Sequence, residues 1–332
     1  MQKSAECVIR TRVWRNGNLE AQDFPFDRVS DYLEDEDCLV WADVLHPNQQ
    51  SLAALADELS LDPHAVEDAT STDERPKATR FATHLFLTAS PVNFDTDTDV
   101  LLAGRVSVFS TKRAFVTVRL DDTLDIDAVV RRWDDYADLV KSGPRGLLHG
   151  VLDEIVDRYL DVLDDFDSEV DEVEDLLFDE NPRSPNEVSR RTFVLRRALV
   201  DARRAMTPMR DVVASVRRGV ANDENVSELW PFYDDLNDHV MHVAETIEVL
   251  RDSISSVFDT SMSLADTRMN TVMKKLTSWA AIIAVPTAIT GFYGQNVPYP
   301  GFGHVWGFWV SIVLIVLIGL ALYGSFRKRD WL

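Results

Sequence analysis

Residues 277–326 read TSWAAIIAVPTAITGFYGQNVPYPGFGHVWGFWVSIVLIVLIGLALYGSF, two apolar runs joined by a short loop. Residues 277–294 are 18 positions without a charge, and residues 305–326 are another 22. A helix needs about 20 residues to cross the roughly 30 Å of hydrocarbon in a bilayer. The pattern therefore predicts a chain that crosses a membrane, turns tightly and crosses back.

Basic residues flank this pair of spans. Lys274 and Lys275 precede the first span, residues 327–329 read Arg-Lys-Arg after the second, and the loop between the spans has neither Lys nor Arg. Loops rich in Lys and Arg stay on the cytoplasmic side of a membrane. We therefore expect two crossings of the inner (plasma) membrane, with both termini in the cytoplasm.

The chain as a whole is strongly acidic. It has 34 Lys and Arg against 56 Asp and Glu, a formal net charge of −22. Such a chain repels the phosphates of nucleic acid, so we expect no nucleic-acid partner and favour cations as partners. A solvated but inert acidic surface would give the same charge count, so the count alone does not separate these interpretations.

The region before the spans divides into two parts. The first part mixes strand patterns with short helices, and it includes an Asn16-Gly17 hairpin turn and a helix start at Asp62-Pro63. The second part is helical and acidic, with 14 Asp and Glu in residues 153–180. Residues 232–285 contain no Gly and no Pro, which predicts one helix about 80 Å long running into the first span.

These patterns predict an α+β membrane protein with six segments. They are a cytoplasmic α/β domain (1–142), a cytoplasmic helical stalk with acidic helices (143–276), a first transmembrane helix (277–295), an outer loop (296–304), a second transmembrane helix (305–326) and a basic cytoplasmic tail (327–332).

The first span has one face of small and polar residues. Positions 270, 273, 277, 280, 284, 287, 291 and 294, alternately three and four apart, read Asn, Met, Thr, Ala, Ala, Thr, Gly and Gly. Small residues in a membrane helix often serve close helix packing. Alternatively, such faces from several parallel helices could line a water-filled path, which requires an oligomer because two spans cannot enclose a pore.

Four stretches of the chain resemble the CorA family of divalent-cation channels. They are AVEDATSTDERPKA (residues 65–78), PFYDDLNDHV (231–240), NTVMKKLTSWAAIIAVPTAITGFYGQN (270–296) and the terminal RKRDWL. The family signature at the outer end of the first span is Tyr-Gly-Met-Asn; Tyr293, Gly294 and Asn296 match it, and Gln295 replaces the Met. The resemblance implies a homopentameric funnel in a lipid bilayer, with the first span lining the pore.

The resemblance also implies which residues line the ion path. Gly294, Gln295 and Asn296 would form the outer mouth, and deeper positions would be Thr287, Ala284, Leu276, Met273 and Asn270. Mg²⁺ gives up its water reluctantly, so the Asn296 amides would accept hydrogen bonds from the waters of a hydrated ion. The apolar Met273 and Leu276 suit a constriction that gates by dewetting.

A second implied site lies in the cytoplasm. Glu67 and Asp68 would meet Asp235 of a neighbouring subunit and bind a regulatory divalent cation, for which carboxylate oxygens are suitable ligands. His239 and His242 lie about one turn apart on the predicted long helix and could share a metal, although such a pair more often serves packing or lies on the surface.

These features favour transport of Mg²⁺, with cobalt and nickel as further candidate ions, through a pentamer gated by intracellular divalent cation. Mg²⁺ is expected as substrate and regulatory ligand, with no prosthetic group. We expect no enzyme, because the sequence lacks GxSxG, HExxH, GxGxxG and P-loop motifs. Two alternatives stay open: a proton-coupled zinc transporter like the related ZntB branch, which also keeps Gly-x-Asn, and a membrane-anchored sensor that conducts nothing.

Overall fold

The computed structural model describes residues 6–71, 74–178, 185–221, 228–295 and 297–331. The chain divides into two compact units, which we call the soluble unit (Met1–Val257) and the membrane unit (Phe258–Leu332). The soluble unit holds a mixed sheet and most of the helices, and the membrane unit holds the two apolar spans.

The strands of the soluble unit form a seven-stranded sheet and a separate two-stranded one. The larger sheet has the order β2-β1-β3-β9-β8-β5-β4, in which only β3 and β9 pair in parallel. The strands are β1 (Val8–Arg15), β2 (Asn18–Gln22), β3 (Cys38–Leu45), β4 (Lys77–Arg80), β5 (Leu85–Ala89), β6 (Val92–Asp95), β7 (Val100–Ala103), β8 (Val106–Ser110) and β9 (Ala114–Arg119).

The helices follow and interrupt these strands. They are α1 (Val29–Leu33), α2 (Gln49–Leu59), α3 (Pro63–Thr70), α4 (Ile126–Asp135), α5 (Ala137–Lys141), α6 (Pro144–Phe178), α7 (Pro185–Met206), α8 (Met209–Ala221), α9 (Trp230–Tyr293) and α10 (Val305–Lys328).

Local sequence signals predicted several of these elements correctly. Asn16 and Gly17 both have positive φ, 50° and 80°, and connect the antiparallel strands β1 and β2. This is the geometry that a type I′ hairpin turn requires. Asp62 caps α3 through a hydrogen bond from the His64 backbone N–H, 2.9 Å long, as the Asp-Pro pair indicated.

The large sheet is buried on both faces because its central strands send alternate side chains to opposite sides. From β3, Val40 and Val44 join a hydrophobic core with Leu55 of α2 and Ala65 of α3. On the other face Trp41 packs edge-on against Trp133 of α4, with ring centroids 5.0 Å apart.

Trp133 also ties the sheet to the long acidic helix α6. Its indole N–H donates to the Leu147 carbonyl over 3.2 Å. A Cβ at Gly150 would collide with the indole ring, so the close approach of α4 and α6 requires glycine there. The start of α6 is therefore fixed against the body of the soluble unit.

The long helix predicted over residues 232–285 is confirmed, and it extends further at both ends. It is α9, which has 64 residues from Trp230 to Tyr293 and contains Pro286. At 1.5 Å per residue its length is about 96 Å. Both α9 and α10 contain stretches long and apolar enough to cross a membrane.

Candidate ion path and metal-binding cluster

The small polar stripe on α9 is uncovered by the rest of the chain. Positions 270, 273, 277, 280, 284, 287, 291 and 294 are all exposed. The buried and half-buried positions between 278 and 293 are 278, 281, 282, 285, 286, 289 and 293, which lie on the other side of the helix. Packing within one chain therefore does not account for the stripe.

The predicted deeper lining residues are all on this exposed part of α9. The side chains of Met273 and Leu276 are 51% and 62% exposed, and Asn270, Ala284 and Thr287 are exposed as well. The Thr287 hydroxyl donates to the Ile283 carbonyl over 3.1 Å. Its oxygen lone pairs stay free to accept a hydrogen bond from water.

The residues predicted to form the outer mouth follow the last turn of α9. The Gly294 N–H donates to the Thr290 carbonyl over 2.8 Å, and the Gln295 N–H to the Phe292 carbonyl over 3.3 Å. Gly294 and Gln295 are both exposed, and Asn296 lies outside the described residues.

Aromatic residues hold the loop that follows against this helix end. The Tyr299 hydroxyl donates to the Tyr293 carbonyl over 2.8 Å, and the two rings meet edge-on with centroids 5.0 Å apart. Further along, Gly301 has φ +92°, and a Cβ there would lie 3.0 Å from the Trp306 ring. The loop is therefore fixed at both of its ends.

The three predicted regulatory residues lie on two elements of the soluble unit. Glu67 and Asp68 are on α3, and Asp235 is on α9. The Asp68 carboxylate accepts from Lys77 Nζ over 2.7 Å, while the Glu67 side chain is exposed. Among the described residues no hydrogen bond or ion pair joins Asp235 to the α3 pair.

A carboxylate and imidazole cluster lies beside Asp235. Single ligand atoms of Asp153, Asp157 and His239 are all within 4.8 Å of one another, and the three side chains are half-buried. His239 Nε2 is also 3.9 Å from Asp235 Oδ1. Carboxylate oxygens suit Mg²⁺, and an imidazole nitrogen adds affinity for zinc, cobalt and nickel.

Sequence reasoning missed this cluster. Asp153 and Asp157 are four residues apart on α6 and share a face, but they are two of many acids in that helix. His239 was noticed beside His242, which is exposed, and not as a partner of α6. Only the packing of α6 near α9 brings these groups together.

Arg132 of α4 already supplies a positive charge to these acids. Its guanidinium pairs with Asp153, with Asp157 at 2.8 Å and with Glu154 at 3.2 Å. Burial raises the pKa of Asp153 and of Glu154 above the ordinary values, and Arg132 opposes this rise. A divalent cation entering the cluster would therefore compete with a resident guanidinium.

His149 extends the network on α6. Its Nε2 lies 3.1 Å from the Phe232 carbonyl, which can only accept, so Nε2 carries the proton. Burial lowers the pKa of His149, so the ring is neutral at neutral pH.

Comparison with known proteins gives concordant matches. Residues 36–328 match the family described as CorA-like Mg²⁺ transporter protein. The cobalt/magnesium transport protein CorA of Thermotoga maritima is 30% identical over 273 residues, 81% of this chain and 76% of that protein. The zinc transport protein ZntB of Enterobacter sp. strain 638 is 28% identical over 91% of this chain and 92% of its own length.

A solved structure matches the fold over nearly the whole chain. The magnesium transporter CorA of Methanocaldococcus jannaschii superimposes with a TM-score of 0.76, covers 98% of this chain and 99% of that one, and is 23% identical. The resemblance seen in the sequence is confirmed. The chain is a membrane-located metal ion transport protein, not an enzyme, and it belongs to the family of CorA-like Mg²⁺ transporter proteins.

Proposed function

We propose that five copies of this chain form a Mg²⁺ channel whose path is lined by the first span and closed by intracellular divalent cation. The observation that carries the proposal is the exposed stripe of small and polar residues on α9, from Asn270 to Gly294. A helix that only anchored the protein in the membrane would not require an exposed stripe of small and polar residues. Two spans cannot enclose a path alone, so copies must supply the remaining walls.

The chemistry of the stripe suits a hydrated dication. It has hydroxyl and amide oxygens but no carboxylate, so it attracts a cation without trapping it. Mg²⁺ keeps its waters, and Asn296 at the mouth would accept hydrogen bonds from them. Inward movement of one divalent cation is favourable by about 4.6 kcal/mol per 100 mV of negative-inside potential. Uptake therefore requires no ATP hydrolysis or other coupled energy source.

Closure of the path is assigned to the inner half of the stripe. Met273 and Leu276 are apolar and exposed, so five copies would place ten apolar side chains around the axis. A ring of this kind stops ions by expelling water. The positive-inside pattern puts this end of α9 toward the cytoplasm, together with both chain termini.

The sensor is assigned to the acids of the soluble unit. Glu67 and Asp68 would face Asp235 of a neighbouring subunit and, next to it, the Asp153, Asp157 and His239 cluster. Five copies at −22 each carry −110, so bound cations would relieve repulsion between subunits. When internal Mg²⁺ falls, the subunits would loosen and the path would open.

The decisive test is ion flux into proteoliposomes that hold the full-length protein. We expect Mg²⁺ entry that grows with a negative-inside potential and ignores a pH gradient. Asn296→Ala should reduce it at least about tenfold, because each subunit loses a polar contact to the ion's waters. Gln295→Met should stay within about twofold, since it exchanges an exposed side chain.

Leu320→Ala is the matched control, because it truncates an exposed side chain of α10 away from the stripe. Its flux should equal that of the unaltered protein. Unchanged flux in an assembled Asn296→Ala variant would refute the mouth assignment, and absence of potential-driven Mg²⁺ entry would refute the channel.

One observation favours a second candidate, proton-coupled zinc transport. His239 adds a nitrogen ligand to the cluster, and a protein named as a zinc transporter is similar over 91% of this chain. The same vesicles with a zinc dye decide between the two. Zinc movement that requires a pH gradient would replace the Mg²⁺ channel as the conclusion.

A further inference from the structure

A cavity of about 650 Å³ opens in the soluble unit, and none of the acids described above belongs to its lining. Three segments form it: the end of β4 with the loop that follows (residues 80–85), the turn between β8 and β9 (110–112), and the junction between α5 and α6 (141–145). Small-molecule sites typically measure about 300–1,000 Å³, so its size suits a small organic ligand.

The lining is basic although the chain is acidic. Arg80, Lys112, Lys141 and Arg145 line the cavity, and no Asp or Glu does. Lys141 pairs with Asp138 at 2.9 Å, outside the lining, and Arg145 donates to a backbone carbonyl. In the part of the chain that the structure describes, Arg80 and Lys112 have no carboxylate partner. Two exposed cations are therefore free to pair with a ligand.

His84 adds a buried polar atom at the wall of the cavity. The ring is only 4% exposed and stacks on Phe81 with centroids 4.9 Å apart. Its Nδ1 lies 2.9 Å from the Thr83 hydroxyl, and its Nε2 is buried without a hydrogen-bond partner among the described residues. Because Nε2 has almost no accessible surface, it does not open onto the cavity, and the ring contributes to the wall through its stack on Phe81.

The first turn of α6 also faces this cavity. Ser142, Gly143 and Pro144 belong to the lining, and Pro144 is the first residue of a helix of 35 residues. The N–H groups of Ser142 and Gly143 already donate to carbonyls of α5, and Pro144 has no N–H, so this terminus contributes only its partial positive charge. The four basic side chains in the lining, together with the partial positive charge of the helix terminus, favour an anionic ligand.

We propose that this cavity binds a soluble small molecule with two or three linked phosphate groups. The cations come from three separate segments, so a single phosphate could not contact all of them, whereas a chain of phosphates could. Arginine suits this ligand because its planar fork binds phosphate oxygens in pairs. The site is distinct from the ion path and does not depend on the function proposed above.

The test is calorimetric titration of the full-length protein in detergent, with EDTA present so that no metal bridges the ligand to acids. The probes are tripolyphosphate, pyrophosphate, orthophosphate and ATP. We expect saturable binding of tripolyphosphate and ATP, and weaker binding of orthophosphate. The double substitution Arg80→Gln with Lys112→Gln should weaken tripolyphosphate binding at least about tenfold, because two charge-assisted contacts are lost.

The matched control is Arg28→Gln with Arg131→Gln, which removes the same two charges from exposed sites outside the cavity. Its affinity should stay within about twofold of the unaltered protein. Equal weakening in both double variants would mean bulk charge attraction and would overturn the proposal. Binding of ATP without tripolyphosphate would mean recognition of the nucleoside, and absence of saturable binding would also overturn it. Lys112→Gln alone, on an exposed turn, carries the test if the double variant fails to fold.

Discussion

Asp43 and Arg119 form an ion pair inside the parallel strand pair of the large sheet. Their side chains are 1% and 6% exposed, and Arg119 Nη2 lies 2.6 Å from Asp43 Oδ2. Thr117 donates to the same carboxylate over 2.6 Å, and the Trp41 indole donates to Thr117 over 3.2 Å. The two charges are tolerated in the interior because Arg119 and Thr117 both donate hydrogen bonds to the carboxylate.

Removal of one partner should therefore be costly. We expect Asp43→Ala to lower the free energy of unfolding of the soluble unit by about 3–5 kcal/mol, because Arg119 is left buried without a counter-charge. Urea unfolding of the full-length protein in detergent, followed by tryptophan fluorescence, would measure it.

The control is Asp127→Ala, which breaks the exposed pair between Arg10 and Asp127. Its cost should be below about 1 kcal/mol. Equal costs for the two substitutions would contradict the role given to the buried pair.

At the scale of elements, α3 matters because it carries Glu67 and Asp68. Asp62 caps it, and the hydrogen bond from the His64 backbone lowers the pKa of Asp62 below 3.8. Because the pKa of Asp62 is lower in the folded state than in the unfolded state, the ionised cap contributes its full stability at a pH above the unfolded-state pKa. That stability is lost as the pH falls through the folded-state pKa.

We expect Asp62→Ala to lower the midpoint of thermal unfolding by about 2–4 °C at neutral pH, because the first turn of α3 loses its acceptor. The difference between the two proteins should shrink below pH 4. Asp62→Asn is the control, because it keeps an acceptor that does not titrate. A difference that does not shrink at all as the carboxyl group becomes protonated would contradict the ionised cap as its cause.

Sequence signals predicted helices and turns well where the structure depends on interactions between residues close in the sequence. The Asn16-Gly17 turn, the Asp62-Pro63 helix start and the uninterrupted run over 232–285 each determine structure within a few residues of themselves. The predicted run into the first span agrees with a helix that continues through Pro286 to Tyr293. A membrane helix tolerates such a proline when neighbouring groups supply the missing hydrogen bond.

At the scale of the whole molecule, the acids should respond to metal. In the proposed pentamer, millimolar Mg²⁺ should raise the thermal midpoint of the full-length protein, because binding stabilises the folded state by about 2.7 kcal/mol per site at a hundredfold excess over Kd. The pair Glu67→Gln and Asp68→Asn should reduce this rise, because the predicted regulatory site loses two carboxylates. Differential scanning fluorimetry with and without EDTA measures it.

Asp164→Asn with Asp167→Asn is the control, since both are exposed acids of α6 outside the predicted site. It removes the same charge and should leave the Mg²⁺ response unchanged. An equal loss in both variants would show that total charge, rather than a site, binds the metal.

The candidate site was only partly predictable because some of its residues are far apart in the sequence. The stripe on α9 repeats every three or four residues, so one helix suffices to reveal it. Asp157 and His239 are 82 positions apart and meet only because two helices pack near each other. The residue pattern of neither helix predicts that the two helices pack near each other.

The division into two units also sets an order of events at the ribosome. The 75 residues of the membrane unit are made after Val257, and at 5–20 residues per second they take about 4–15 s. The strands β3 and β9 are synthesised before the membrane unit. The sheet can therefore fold during those seconds, before both apolar spans have left the ribosome. A substitution that delays the sheet would leave the nascent chain with an unfolded domain and two insertion signals together. The yield of correctly folded protein from such a variant should be lower than its equilibrium free energy of unfolding suggests.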